Sequence, residues 1–365
     1  MPVAPPVGAR RGRGLFASVA TPLLDAFTEP HGPDRYLEML NPTWSTREVR
    51  AEIVEARHEA PDTVTLFARP NRAWQGFSAG QHVQLTVDIG GVRRSRCYSI
   101  VASEHDCSDR LEFTVHVEPD GLVSNHLQRL ARGTVVGLSQ AQGPFTVPSP
   151  RPERVVLISG GSGITPAMSI ARTLRDEGRA ASVTFLHYAR SPTDVAYSEE
   201  LDALAASGVR VLRSYTRESG GELSGRFCAD HLAGIIDAPA WVSGPATLVE
   251  AVREHWSAAG REAELTVEHF TPPAPAVVPD DGAPTGEVSF GARSAPNSGA
   301  PLLEQAEAAG LELPYGCRRG ICFSCTQRKT SGTVRHRNSG ALSTEPDSDI
   351  QLCVTVPIGD VTIDL

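Results

Sequence analysis

The chain has 365 residues, 40% of them apolar and 21% charged, with a formal net charge of −9. That length allows two to three domains with separate cores, and the composition is that of folded domains, not of a disordered chain. The acidic balance removes the electrostatic reason to expect nucleic acid as a partner, and apolar runs such as Val155–Ser159 are far too short to cross a bilayer.

Residues 1–46 read as an N-terminal extension. Arg10 and Arg11 precede an apolar stretch, Leu15 to Leu24, in the manner of a twin-arginine export signal. Ser18, Thr21 and Pro22 interrupt that stretch, and no clean apolar core precedes a cleavage site. The expectation is a helical extension on a cytoplasmic protein. From 47 to 150 short alternating segments follow one another: Val49–Ala56, Thr63–Ala68, His82–Asp88, Arg94–Ile100, Leu111–Val117 and Thr134–Ser139. Gly90-Gly91 and Pro119-Asp120-Gly121 punctuate them. Short strands with regular turn signals predict an antiparallel β-barrel, with one short helix over Ser124–Leu130.

From 151 to 270 the period changes. Strand Val155–Ser159 runs through a glycine-rich turn into a helix from Pro166 to Glu177. Strand Val183–Tyr188, helix Glu199–Ala206, strands Val209–Ser214 and Ala240–Ser243, helix Thr247–Ala259 and a last strand Glu264–Phe270 follow. This alternation predicts an α/β domain built on a parallel sheet. Residues 271–284 carry five prolines, which forbids a helix or central strand and predicts a semi-rigid linker. Residues 285–365 read as a small α+β unit: strand Gly286–Phe290, helix Leu302–Ala309, a cysteine-rich loop, then strands near Gly332–His336 and Asp360–Asp364.

Seven cysteines cannot all pair within one chain, and four of them fall in the last 49 residues. A disulfide framework is improbable in a chain this large, so a local thiolate metal site is the better reading. Cys317, Cys322, Cys325 and the later Cys353 give C-x4-C-x2-C…C, the spacing of a plant-type [2Fe–2S] centre. Free thiols and zinc are the alternatives, but structural zinc usually uses paired C-x2-C units and only one is present. The stretch Leu313-Pro-Tyr-Gly-Cys-Arg-Arg-Gly-Ile-Cys-Phe-Ser-Cys325 resembles plant-type ferredoxins. The resemblance implies a β-grasp-like fold with Cys317, Cys322, Cys325 and Cys353 as ligands.

Arg96-Cys97-Tyr98-Ser99 resembles the R-x-Y-S signature of the ferredoxin–NADP reductase superfamily. An arginine can clamp a pyrophosphate, a tyrosine offers a ring face and a hydroxyl, and a serine can hydrogen-bond the reactive flavin nitrogen. On their own, a tyrosine and a serine in a strand are ordinary structural residues. His116-Val117, followed by Gly121-Leu122-Val123-Ser124, resembles the family's G-x-x-S turn, where a helix start meets the cofactor pyrophosphate. Ser124 also suits a plain helix cap. The resemblance implies flavin contacts from Arg96, Tyr98, Ser99, His116, Val117, Gly121, Val123 and Ser124. It favours FAD, although phthalate dioxygenase-type reductases of the same domain order use FMN.

Gly160-Gly161-Ser162-Gly163-Ile164-Thr165-Pro166 resembles the family's nicotinamide-binding turn. It implies roles for Gly161, Gly163, Thr165 and Pro166, with Thr165 beside the nicotinamide. Ser243-Gly244-Pro245 resembles the family's C-G-P with serine for cysteine, so Ser99, Thr165 and Ser243 are the catalytic candidates. Arg190 and Arg217 suit a 2′-phosphate, which favours NADPH over NADH, with solvated surface arginines as the alternative. Phe270 is expected to shield the flavin, with packing into the core as its alternative. The order flavin, nicotinamide, ferredoxin, together with Asn41-Pro-Thr-Trp-Ser-Thr-Arg47, resembles actinobacterial reductases that serve membrane acyl-CoA desaturases. The implied activity is electron transfer from NAD(P)H through flavin and cluster to a desaturase or oxygenase partner, a membrane-bound partner included, with no spanning segment expected in this chain. A cytochrome P450 or Rieske-type oxygenase partner, or a redox-sensing role, is the alternative.

Overall fold

The computed structural model describes residues 32–45, 48–60, 62–235, 238–269, 284–315, 318, 320, 325–337 and 340–365. These form two compact bodies. One runs to Ser243 and includes Trp256–Thr266; the other comprises Gly244–His255 and Val267–Leu365.

The first body opens with helix α1 (Gly32–Leu40), tied to the first strand by Glu38 and Arg50 at 2.6 Å. Strands β1 (Val49–Ala60), β2 (Thr63–Pro70), β3 (His82–Ile89), β4 (Val92–Ser99) and β5 (Leu111–His116), helix α2 (Leu122–Leu127) and strand β6 (Val135–Leu138) follow. The strands form one antiparallel sheet in the order β4-β3-β6-β1-β2-β5. Alternation turns Val64, Leu66, Val83, Leu85, Phe113 and Val115 into a shared core. The two edges, β4 and β5, approach each other without ladder bonds, and α2 packs against β3, β4 and β5 at that margin. The sheet is therefore a half-barrel with one open seam.

The chain continues with β7 (Val155–Gly160), α3 (Ile164–Asp176), β8 (Val183–Ala189), α4 (Ser198–Ala206), β9 (Arg210–Tyr215), β10 (Leu223–Ser224), β11 (Ala240–Gly244), α5 (Ala246–Ala258) and β12 (Leu265–His269). The sheet order is β10-β9-β8-β7-β11-β12, with β7 to β11 parallel. Every residue of β7 is buried, as expected of a strand covered on both faces. Leu157, Phe185, Val211 and Trp241 share one register and face, forming an apolar layer.

The half-barrel and the parallel sheet meet within this body through part-buried ion pairs. Arg172 of α3 holds Glu112 of β5 at 2.7 Å and Glu200 of α4 at 2.5 Å. Tyr197, held at φ +63, donates its hydroxyl to Glu112 at 3.0 Å and shares a short contact with Thr114. Arg151 joins Glu104 to Glu177, and the Ser169 hydroxyl donates to the Ala102 carbonyl at 2.7 Å.

The second body contains β13 (Glu287–Phe290), β14 (Arg293–Pro296), α6 (Leu302–Ala308), β15 (Thr326–His336), β16 (Leu342–Ser343), β17 (Ser348–Gln351) and β18 (Thr355–Asp364). The order is β14-β13-β18-β15-β16, with β17 on β15. β13 and β18 are parallel and the other pairs antiparallel, a mixed β-grasp-like sheet that buries Val288, Phe290, Leu302, Leu303, Val361 and Ile363. The strand read from sequence at Gly332–His336 is the end of a longer one, β15, carrying register shifts at Lys329/Ser331 and Gly332/Thr333. Gly332 sits there at φ +91, where a Cβ would lie 2.2 Å from the Asp360 carbonyl oxygen, so only glycine fits.

Candidate functional site

At the half-barrel seam, Arg96 and Tyr98 of β4 pair with Leu85 and Val83 of β3. Directly paired residues share a face, and Leu85 and Val83 are fully buried. Arg96 and Tyr98 thus occupy the inward side of an edge strand where no further strand covers them. Arg96 is exposed and Tyr98 half-buried, its phenol pushed up from the usual range by burial. Ser99 ends the strand, is buried and pairs with His82. Across the seam, Gly121 precedes α2. The Ser124 hydroxyl donates to the Gly121 carbonyl and accepts from the Glu118 amide, both at 3.2 Å. A Cβ on Gly121 would stand 2.3 Å from the Ser124 oxygen, so the turn closes only on glycine. The helix begins with amides that have no partner inside it. Val123 turns its side chain into the core, leaving only its backbone for a ligand. Val117 is buried with its amide on the Asp62 carbonyl, and His116 lies 3.8 Å from the Asp62 carboxylate. An inward-facing arginine and tyrosine opposite a tight helix start fit a flavin and its phosphates.

At the end of β7, Gly161 adopts φ +53 with nothing within 4 Å of a Cβ built on it. The turn is open there, and its left-handed backbone favours glycine. Gly163 is buried, the Thr165 hydroxyl donates to the Ser162 carbonyl at 3.2 Å, and Pro166 lies in the first turn of α3. That arrangement fits a nucleotide phosphate over the turn. The Ser243 hydroxyl is committed elsewhere. It is completely buried and donates to the Gly163 carbonyl at 2.5 Å, so its visible role is to hold the glycine turn.

Ser243 belongs to a row that sequence reading missed. Ser243, Ser159, His187 and Arg213 share one register across β11, β7, β8 and β9. They form a polar layer above the apolar one. His187 Nδ1 meets the Ser159 hydroxyl at 2.8 Å, while its buried Nε2 has no partner among the described residues. Burial, aided by the Arg213 charge, pulls His187 down to about 4, so the imidazole is neutral at pH 7. Its signal was a polar residue at an inward position of an otherwise apolar strand.

At the next ends of the sheet, the Arg217 amide donates to the Arg190 carbonyl at 3.0 Å, which brings those two residues together. Arg190 holds Asp194 at 2.7 Å, and Ser191 donates to the same carboxylate at 2.7 Å. The Ser191 hydrogen bond, helped by Arg190, lowers the Asp194 carboxyl below its ordinary range. Phe270 lies outside the described residues.

In the second body, Cys325 and Cys353 are both buried, and the Cys353 amide points at Cys325 Sγ at 3.4 Å. Cys317 and Cys322 lie outside the described residues. Between them Arg318 and Gly320 adopt φ +55 and +77. Two buried thiols joined by an N–H···S contact fit an iron–sulfur centre, whose sulfurs accept such bonds.

Comparisons with known proteins agree with this layout. An oxidoreductase FAD-binding domain matches residues 51–147, an oxidoreductase NAD-binding domain 157–254 and a 2Fe-2S iron-sulfur cluster binding domain 292–357. An NADPH oxidoreductase of Mycobacterium tuberculosis is 34% identical across 97% of this chain and 92% of its own length. The ferredoxin reductase component of 3-ketosteroid-9-alpha-monooxygenase from the same species is 31% identical, covering 78% of this chain and 85% of that one. Phthalate dioxygenase reductase shares the fold, with a TM-score of 0.58 and 23% identity over 87% of this chain and 97% of that one. The chain therefore belongs to the ferredoxin–NADP reductase superfamily, as an oxidoreductase that carries FAD-binding, NAD-binding and [2Fe–2S] domains in one polypeptide.

Proposed function

We propose that this chain is an NADPH-dependent reductase that delivers single electrons to a separate oxygenase or desaturase. One observation carries the reading: a hydride-accepting domain pair and a thiolate site for a one-electron centre stand in the same chain. When bound, flavin converts a hydride into two electrons and the cluster passes them on one at a time. The chain's own residues do the positioning. Arg96 and the Gly121 turn would hold the flavin phosphates, Tyr98 and Ser99 its ring. Gly161, Gly163 and Thr165 would seat the nicotinamide nucleotide on a turn that Ser243 fixes from below. Arg217, with Arg190 held by Asp194, would receive a 2′-phosphate. The name of the 34% identical relative also favours NADPH.

For the acceptor, a membrane acyl-CoA desaturase rests on the resemblance of the segment from Asn41. That segment is anchored, since Asn41 Oδ1 accepts from the Thr43 amide at 2.9 Å and Asn71 donates to the Thr43 carbonyl at 3.0 Å. An oxygenase acceptor is favoured by the relatives' names. Among the described residues no helix is long and apolar enough to cross a membrane. Purified chain should show flavin and iron–sulfur absorption that bleaches with NADPH faster than with NADH. It should then support turnover of one acceptor class and not the other. A colourless, zinc-containing preparation would end the reading.

A further inference from the structure

The chain has one lysine among its 34 basic residues, and that lysine, Lys329, is completely buried. It lies on β15, four residues beyond Cys325, paired with Ser348 of β17 and Ile363 of β18. Its Nζ donates to the Gly332 carbonyl at 2.9 Å and to the Glu345 carbonyl. The Gly332 carbonyl is available because the strand breaks register there, at a position whose φ of +91 and crowding demand glycine. The fold thus builds a seat for an ammonium group.

That seat does not neutralise the charge. Among the described residues the ion pairs of this body join Arg318 to Glu307 and Arg328 to Asp347, and none reaches Lys329. Two carbonyl oxygens take two of the three N–H donors but leave the positive charge in place, in an interior where uncompensated charge is costly. Packing alone would be met by an aliphatic side chain. A compact ammonium on a flexible stem suits two converging carbonyls, whereas a planar guanidinium does not. This accounts for a lysine in a chain that uses arginine at every other basic position.

We propose that the buried Lys329 charge raises the reduction potential of the iron–sulfur centre held by Cys325 and Cys353. The inference rests on the iron–sulfur reading of those cysteines. Reduction adds one negative charge to the centre, and a fixed positive charge nearby favours that form. At about 3.3 Å per residue along a strand, Lys329 stands about 13 Å from Cys325. At an effective dielectric of about 20, a unit charge at that distance moves a one-electron equilibrium about tenfold, equivalent to about 59 mV.

The test is a spectroelectrochemical titration of the full-length, cluster-loaded chain, read by visible absorption and EPR without nicotinamide. K329M, which keeps the stem and removes the charge, should hold its iron and inorganic sulfide and titrate about 59 mV lower. A full cluster at the wild-type potential would overturn the inference. If K329M fails to load a cluster, K329Q decides. It removes the charge while keeping an N–H donor for the Gly332 and Glu345 carbonyls, and should titrate about 59 mV lower. A full cluster at the wild-type potential in K329Q would equally overturn the proposal. Wild-type chain lacking iron and sulfide would remove the iron–sulfur reading and this inference together, a result distinct from an unmoved potential.

Discussion

His187 shows how one buried side chain ties the nicotinamide turn to pH. Its imidazole is neutral in the folded chain because burial, with the Arg213 charge, holds it at about 4, against 6.5 for the free group. Above pH 6.5 both folded and unfolded states leave it neutral, and its contribution to stability is complete. As the pH falls from 6.5 towards 4 the unfolded chain takes up a proton that the folded chain refuses, so stability is lost across that window. The stability lost across that window is on the order of 3 kcal/mol. The variant H187N should therefore lose less melting temperature than wild type between pH 7.5 and 4.5; equal losses would show that His187 titrates freely. Ser243, in the same row, makes a second prediction. Ser243→Ala leaves a buried carbonyl on Gly163 without its donor, a cost of about 1–3 kcal/mol. It should raise KM for NADPH several-fold with kcat much less changed. The reverse pattern, kcat falling at constant KM, would put Ser243 at the reacting atoms. Neither role was legible in the sequence. The Ser-Gly-Pro string drew attention by its likeness to C-G-P, whereas the partner it needs lies 80 residues away and only strand register brings the two together.

Elements were read with uneven success, and the reasons are physical. Long apolar or strictly alternating segments such as β7 and β2 declare their period, and the sequence boundaries fall within a residue or two of the observed ones. The short strands β10, β14, β16 and β17 went unread, because two to four residues, several of them polar, carry no period. The helix expected over Ser124–Leu130 begins at Leu122 and ends at Leu127, since the Gly121 turn, not the serine, starts it. Least legible were the contacts between elements. Arg172 lies largely covered on α3 between Glu112 and Glu200; that partial burial pulls its pKa down, but the Glu200 hydrogen bonds and the Glu112 charge outweigh it and hold the group above its ordinary value. No spacing rule predicts a triad whose members come from β5, α3 and α4. Replacing the arginine leaves two part-buried carboxylates facing each other without a counter-charge, so R172M should cost about 1–3 kcal/mol. The loss should appear as a lower urea midpoint for the first body, with the visible spectrum of the cluster-bearing body unchanged. The triple variant R172M/E112Q/E200Q should recover much of it, because the unpaired charges are then gone. A single variant that unfolds like wild type would show the triad to be dispensable.

Taken whole, the molecule places a two-electron and a one-electron device in one chain, with the proline-rich residues 271–284 between them in sequence. The order of the devices was readable because each carries a compact local signature: Arg96 to Ser99, Gly160 to Pro166, and Cys317 to Cys325. The electron acceptor was not, because partner choice is written in surfaces and not in short strings. Joining the devices covalently matters if electrons cross within one chain. A tether turns their encounter into an intramolecular event whose effective concentration depends on tether length. A flexible tether has a mean span of about 5–6 Å times the square root of its residue number. Beyond the optimum, effective concentration falls as about the −3/2 power of length. Doubling the segment with a Gly/Ser insert of equal size should then slow intramolecular cluster reduction about threefold, in keeping with that power law. The measurement is a single-turnover mixing experiment with NADPH at several protein concentrations. Rates independent of concentration establish transfer within one chain. A threefold fall in the lengthened variant would mean that the ferredoxin body must travel to the flavin before each electron passes. An unchanged rate would mean that the two devices work from a fixed arrangement, with the proline-rich segment acting only as a connection.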